Sequence, residues 1–260
     1  MDKKYGIMVS EKTMVINGKI KLHRIRALRD IERYNVKAGD FGGFIEKEEN
    51  LSQYGDAWVS DNATVYNDAR VLDNAWVGDN AKVRGNAMIH DEARVSGYAC
   101  VCGHAQVHNE AQVSDNAWVY GCAWVYNSAK IYGEAVVHEH AQVFNHAEIF
   151  GHASVDGGAQ ISGSAKIIEY AWVFSRARIS DQAWVGEHAL VFDDAQVSEY
   201  AQVRGHAYIF GDAKISGHAC IYGDAKVHGG ALVYGSAHIY GCAEVYGNDQ
   251  INKGSIIIRK

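Results

Sequence analysis

The chain has 260 residues with 27 Gly, no Pro, 48% hydrophobic and 22% charged side chains, and its net charge of −6 is too small for a disordered polyelectrolyte. No stretch reaches the roughly 18 apolar residues of a membrane helix, and Met1-Asp2-Lys3-Lys4 opens no secretory signal. Five cysteines, an odd number, point to reduced thiols in a cytoplasm rather than to a disulfide framework.

In chain order, Val15-Ile16-Asn17-Gly18-Lys19-Ile20 places a two-residue Asn-Gly turn between apolar flanks, which predicts a β-hairpin. Ala27 to Tyr34 fits either a helical turn or a strand. Residues 1–50 carry 11 Lys and Arg against 8 Asp and Glu, whereas residues 51–260 carry 14 against 23. The long segment would therefore repel a nucleic-acid polymer, because neutralising phosphates takes a basic stripe. Small anions remain open at local basic spots.

From Ala57 to Ala243 every sixth residue is Ala, 32 in succession, and from Val59 to Ile257 every sixth is Val or Ile, 34 in succession. Ala-x-Val alternates with period two, so Ala and Val face one side and the residue between them the other. Two positions after each Val or Ile comes mostly Gly, Asp or Asn, which tolerate positive φ. A six-residue strand and turn cannot bury an apolar face alone, so the units coil and stack. Aromatic residues after the Val or Ile recur equally at spacings of 18 and 24 and do not fix the number of sides. An interior of Ala and Val or Ile favours three, since a four-sided coil leaves voids.

At Val-x-Gly/Asp-Asn-Ala-x-Val the sequence resembles the hexapeptide-repeat family, which implies an all-β fold: a single-stranded left-handed parallel β-helix with three hexads per coil. Thirty-four hexads stacked ~4.8 Å apart in threes make a rod about 54 Å long. Ile45 and Leu51 fall in phase with the Ala column, so the β-helix is expected over residues 44–258, with 1–43 as a hairpin-containing cap on its open strand edge. Asp249 and Ser255 replace Ala near the other end, and Arg259-Lys260 would block that edge. Val36-Lys37-Ala38-Gly39, Gly42-Gly43-Phe44-Ile45, Leu51-Ser52-Gln53, Gly55-Asp56 and Trp58-Val59 are similar to the opening of the YdcK-like hexapeptide proteins of bacteria and phages. That group implies a transferase or polymer-forming role and supplies no catalytic residues to carry over.

All six tryptophans, Trp58, Trp76, Trp118, Trp124, Trp172 and Trp184, sit in Ala-Trp-Val and should point outward. Exposed indoles favour burial against a partner, and the resemblance to trimeric hexapeptide proteins implies a homotrimer with these residues at its interface. The bland alternative is that neighbouring side chains cover them. Thirteen histidines occupy mostly outward corners. On an 18-residue coil His104, Cys122 and His140 form a row with Cys102 at the same corner; a row is not a tetrahedron, so no metal is expected. Hexapeptide acyltransferases imply a His base, often near a loop excursion, and an acyl-coenzyme A channel. No loop interrupts Ala57 to Ala243, so no catalytic residue and no cofactor are assigned.

The sharpest local departure is Tyr170 to Arg178. Phe174 should stack on Phe192, and Gly158, one coil before Arg176, leaves space beside its guanidinium, with Arg178 on the next face. Arginine beside an aromatic plane suits a phosphate and a base; pairing of Arg176 with Asp194 is the plain alternative. Arg70, Arg84 and Arg94 form a looser basic group. The expectation is a non-catalytic cytoplasmic solenoid that sequesters a small anionic, nucleotide-like ligand between subunits through Phe174, Arg176, Arg178 and Phe192, phage carriage suggesting a purpose. An acyltransferase or a structural rod are the alternatives.

Overall fold

The computed structural model describes residues 3–258. They form strands and turns, with two one-turn 3-10 segments at Glu32–Tyr34 and Glu48–Asn50. No helix among the described residues is long and apolar enough to cross a membrane. The chain divides into two compact units, residues 1–127 and 128–260.

The first unit opens with strand β1 (Tyr5–Ile16) paired antiparallel to β2 (Ile20–Ala27), Ile16 opposite Ile20. Asn17 and Gly18 between them have φ of 51° and 66°, the left-handed pair that the Asn-Gly turn requires. Ala27 to Tyr34 is neither one helix nor one strand: β2 ends at Ala27 and a 3-10 turn follows, closed by Asn35 at φ 54°. Strand β3 (Phe41–Ile45) pairs antiparallel with β2 and parallel with Thr64-Val65, so it joins the hairpin to the first coil. Lys4 and Tyr5 are fully buried in this cap. The Tyr5 hydroxyl donates to the Leu51 carbonyl at 2.7 Å, and the Lys4 ammonium lies 3.3 Å from the Tyr54 carbonyl.

From Trp58 to Val227 each strand is two residues, an outward residue followed by Val or Ile, and pairs in parallel with the strand 18 residues away; longer strands, Leu232–Gly241 and Gln250–Ile258, follow near the end. Trp58 lies opposite Trp76, Trp76 opposite Arg94, and Arg94 opposite Gln112. Thr64, Lys82, Cys100 and Trp118 form a second column, and Arg70, Met88, Gln106 and Trp124 a third. Three columns and an 18-residue coil settle what aromatic spacing left open. The second unit repeats the pattern, as in Val136, Ser154, Trp172, Leu190 and Tyr208. Every Ala of the column from 57 to 243 and every sixth residue, Val or Ile, from 59 to 239 is buried, which is the interior expected of the left-handed β-helix.

Two phase expectations are corrected. Ile45 pairs with Val65 and Leu51 bridges to Val71, so both occupy the Val column and not the Ala column. The segment from Leu51 to Val59 is two residues longer than a hexad and absorbs the shift by a turn at Ser52–Tyr54 and by Gly55 at φ 62°. Buried Asn50 anchors the 3-10 turn just before that segment: its amide donates to the Asn67 and Ala69 carbonyls at 2.9 and 2.8 Å, and its oxygen accepts the Lys47 N–H at 2.9 Å. At the far end Ile256, not Ile257, lies opposite Ile239, because the register slips by one residue between Val233 and Ser236. The Arg259-Lys260 finish lies outside the described residues.

Candidate functional site

Sequence reasoning singled out Arg176 and Arg178, and in the second unit the two line one groove of about 380 Å³. They reach it differently. Arg178 is the outward residue of a strand and stacks in register with Gln196, which stacks with Lys214. Arg176 stands in the preceding turn, above Asp194 and then Asp212, which complete the wall. The Arg176 guanidinium is ion-paired to the Asp194 carboxylate, the plain alternative anticipated for it. That pair is exposed and contributes little to stability. Arg178 and Lys214 remain as cations facing the groove two rungs apart, ~9.6 Å by strand spacing. The groove thus carries three cations against two carboxylates on a chain of net charge −6.

Phe174 and Phe192 stack as expected, with centroids 4.8 Å apart and planes 6° apart. They do not line the groove. They belong to a ladder that continues through Phe210, His228 and Tyr246, and Trp172 packs on Phe174 at 4.6 Å. One rung spacing between rings leaves no gap for an intercalated base, which needs about twice that separation. Gln196, Asp212 and Lys214 were missed by sequence reasoning. They stand 18 or 36 residues beyond Arg176 and Arg178, so the 18-residue spacing that pairs Arg176 with Asp194 is also the signal that points to them.

The tryptophans divide by the residue two positions on. Trp76 and Trp184 are half-buried because Gly78 and Gly186 follow, and each ring lies over its glycine. A Cβ at Gly186 would come within 3.0 Å of the Trp184 ring. Trp118, Trp124 and Trp172 are followed by Tyr120, Tyr126 and Phe174 instead of glycine, and stand 46, 43 and 43% exposed. Trp58 is 1% exposed beneath Gly42 of β3 and has no free face. The bland alternative therefore describes Trp58 fully and Trp76 and Trp184 in part.

Several histidines stand in stacked ring columns: His152, Tyr170, His188 and His206 lie 4.8 to 5.1 Å apart. Neither Cys102 nor any member of the His104, Cys122 and His140 row belongs to the set of ligand atoms that does converge among the described residues, His90, Asp91 and His108 in the first unit, within 4.8 Å of one another. Their imidazoles are parallel to within 3°, so the lone pairs run side by side and do not meet. Asp91 already accepts the Asn109 N–H at 3.0 Å, and burial holds the His108 pKa down. Arg70, Arg84 and Arg94 do not gather; Arg70 and Arg94 lie in different columns, and Arg84 stands beside Cys100.

No curated protein matches the chain. Residues 57–73 and 111–127 match the YdcK beta solenoid repeat family. With those two segments and the parallel coils on the same hexad around them, the chain is a YdcK-like β-solenoid repeat protein.

Proposed function

We propose that this protein is a non-catalytic cytoplasmic solenoid that holds a small anionic ligand, polyphosphate-bearing as a nucleotide is, between the subunits of a homotrimer. The groove of Arg176, Arg178, Gln196 and Lys214 carries the reading. Arg178 and Lys214 lie ~9.6 Å apart, a span that a di- or triphosphate bridges, and the Gln196 amide between them donates to the same oxygens. The groove is open on one side, so a second copy packed over it would supply the enclosure that small-ligand sites require. Exposed Trp118, Trp124 and Trp172 are the surfaces for that packing.

A thermal-shift screen of nucleoside mono-, di- and triphosphates, pyrophosphate and acyl-coenzyme A against wild type, Arg178→Gln and Lys214→Gln tests it. A ligand present at a hundredfold over its Kd stabilises the folded state by about 2.7 kcal/mol. Wild type should show that response to a polyphosphate and each variant should lose most of it. Stabilisation by acyl-coenzyme A with turnover of an acceptor would replace the proposal by an acyltransferase. Silence toward every class would leave a structural rod.

A further inference from the structure

Cys100 and Cys102 lie in the first unit, far from the groove in sequence. Cys100 is the outward residue of its strand, flanked in register by Lys82 and Trp118. Cys102 follows two positions on and leaves the strand on the same side. A cavity of about 490 Å³ opens onto Cys100, between this face and the tip of the hairpin at Ile16 and Ile20; Lys82, Arg84, Tyr66 and Tyr98 also line it. No carboxylate lines it among the described residues. Cys100 and Cys102 are 5 and 7% exposed, and Cys100 is the one that lines the cavity, so a small solute meets Cys100 first.

We propose that Cys100 and Cys102 are a dithiol that hydroperoxides oxidise to a disulfide, with Cys100 the attacking thiolate, Cys102 the resolving thiol and Arg84 the positioning cation. The hydrogen bond from the Cys102 thiol, followed by the charge and hydrogen bond of Arg84, holds the Cys100 pKa well below the ordinary thiol range against the opposing effect of burial. The same contact and burial push Cys102 up, so the pair keeps one proton, on Cys102. A thiolate is the form that attacks.

In the first step the Cys100 thiolate attacks the outer peroxide oxygen. The S–O bond forms, the O–O bond breaks, sulfur loses two electrons, and the departing alkoxide takes a proton from solvent to leave as alcohol, or as water from hydrogen peroxide. In the second step the Cys102 sulfur attacks the sulfenic acid; the S–S bond forms, the S–O bond breaks, and the hydroxyl leaves with the Cys102 proton as water. Two extended residues span about 6.6 Å, at the upper end of the Cα separations a disulfide accepts, so the turn that begins at Cys102, just past the strand, has to draw its Cβ toward Cys100 as the bond closes.

The test is thiol counting and peptide mapping of the full chain after stoichiometric hydrogen peroxide or tert-butyl hydroperoxide. The expected product has lost the mass of two hydrogens, has three free thiols of the original five, and maps the link to Cys100 and Cys102. Cys102→Ser should stop at a sulfenic acid that dimedone traps on Cys100, and Cys100→Ser should not react. Iodoacetamide at pH 7 should modify Cys100 about tenfold faster than Cys220, an equally buried strand cysteine. Arg84→Gln should reduce that advantage and move the rate midpoint to higher pH. Retention of all five thiols, or oxidation of Cys122 and Cys242 as fast as Cys100, would overturn the proposal. Dithiothreitol recovery of all five thiols in wild type, with unchanged circular dichroism in both serine variants, confirms that chemistry and not unfolding is read.

Discussion

At the residue scale, the acidic surface of the repeat has a structural cause. The residue two positions after each Val or Ile has positive φ, and where it is not Gly it is mostly Asp, Asn or Glu. Its side-chain oxygen accepts the N–H of the corresponding residue one coil on: Asp181 from Glu199 at 3.1 Å, Glu199 from Gly217 at 2.7 Å, and Glu187 from Gly205 at 2.8 Å. These carboxylates satisfy turn N–H groups that the ladder between coils leaves over. Composition showed the positive-φ preference but not this service, which depends on the neighbour 18 residues away. Asp181→Ala loses the bond and keeps the left-handed strain, so urea unfolding should show a loss of about 1–2 kcal/mol. Asp181→Gly loses only the bond and should cost less; equal losses would mean the strain is unimportant.

At the element scale, the cap is the part where sequence and structure parted most. The Asn-Gly hairpin was legible because its turn chemistry is local. The Ile45 and Leu51 phase was not, because the two extra residues before Val59 are a tertiary accommodation taken up by the Ser52–Tyr54 turn and Gly55. The interior columns were legible throughout because period six with period-two alternation admits one side of the strand only. The groove was half legible: Arg176 and Arg178 are neighbours in sequence, whereas Lys214 joins them only through stacking. The cap also sets a pH dependence. Burial, with Arg29 adding to it, pushes Lys4 down to about 8, whereas the unfolded chain holds that proton to about 10.4. Between those values the unfolded chain binds more protons, so stability rises with pH. Tyr5 acts oppositely: burial, then Glu48, raises its pKa, so stability falls above about pH 10, where the unfolded tyrosine ionises. The urea midpoint should climb from pH 8 to about 10 and turn down beyond it. Lys4→Met should abolish the climb, and a wild-type midpoint that is flat or falling over that window would refute the assignment.

At the scale of the whole molecule, the outward side chains have to be explained by assembly and ligand together. Trp118, Trp124 and Trp172 are exposed in the single chain, whereas Trp58 is covered by the cap and Trp76 and Trp184 are half-buried over their own glycines. Light scattering after size exclusion should give a trimer mass at micromolar concentration, and Trp118→Arg should raise the dissociation constant by about tenfold or more. A monomer mass for wild type would remove the between-subunit site. The most direct measurement is calorimetric titration of wild type and Lys214→Gln with a nucleoside triphosphate at low and high salt. Wild type should give a saturable heat that weakens as salt rises, with one ligand per groove, and Lys214→Gln should lose about tenfold or more in affinity. No heat from wild type, or identical titrations for the two proteins, would contradict anion binding in this groove.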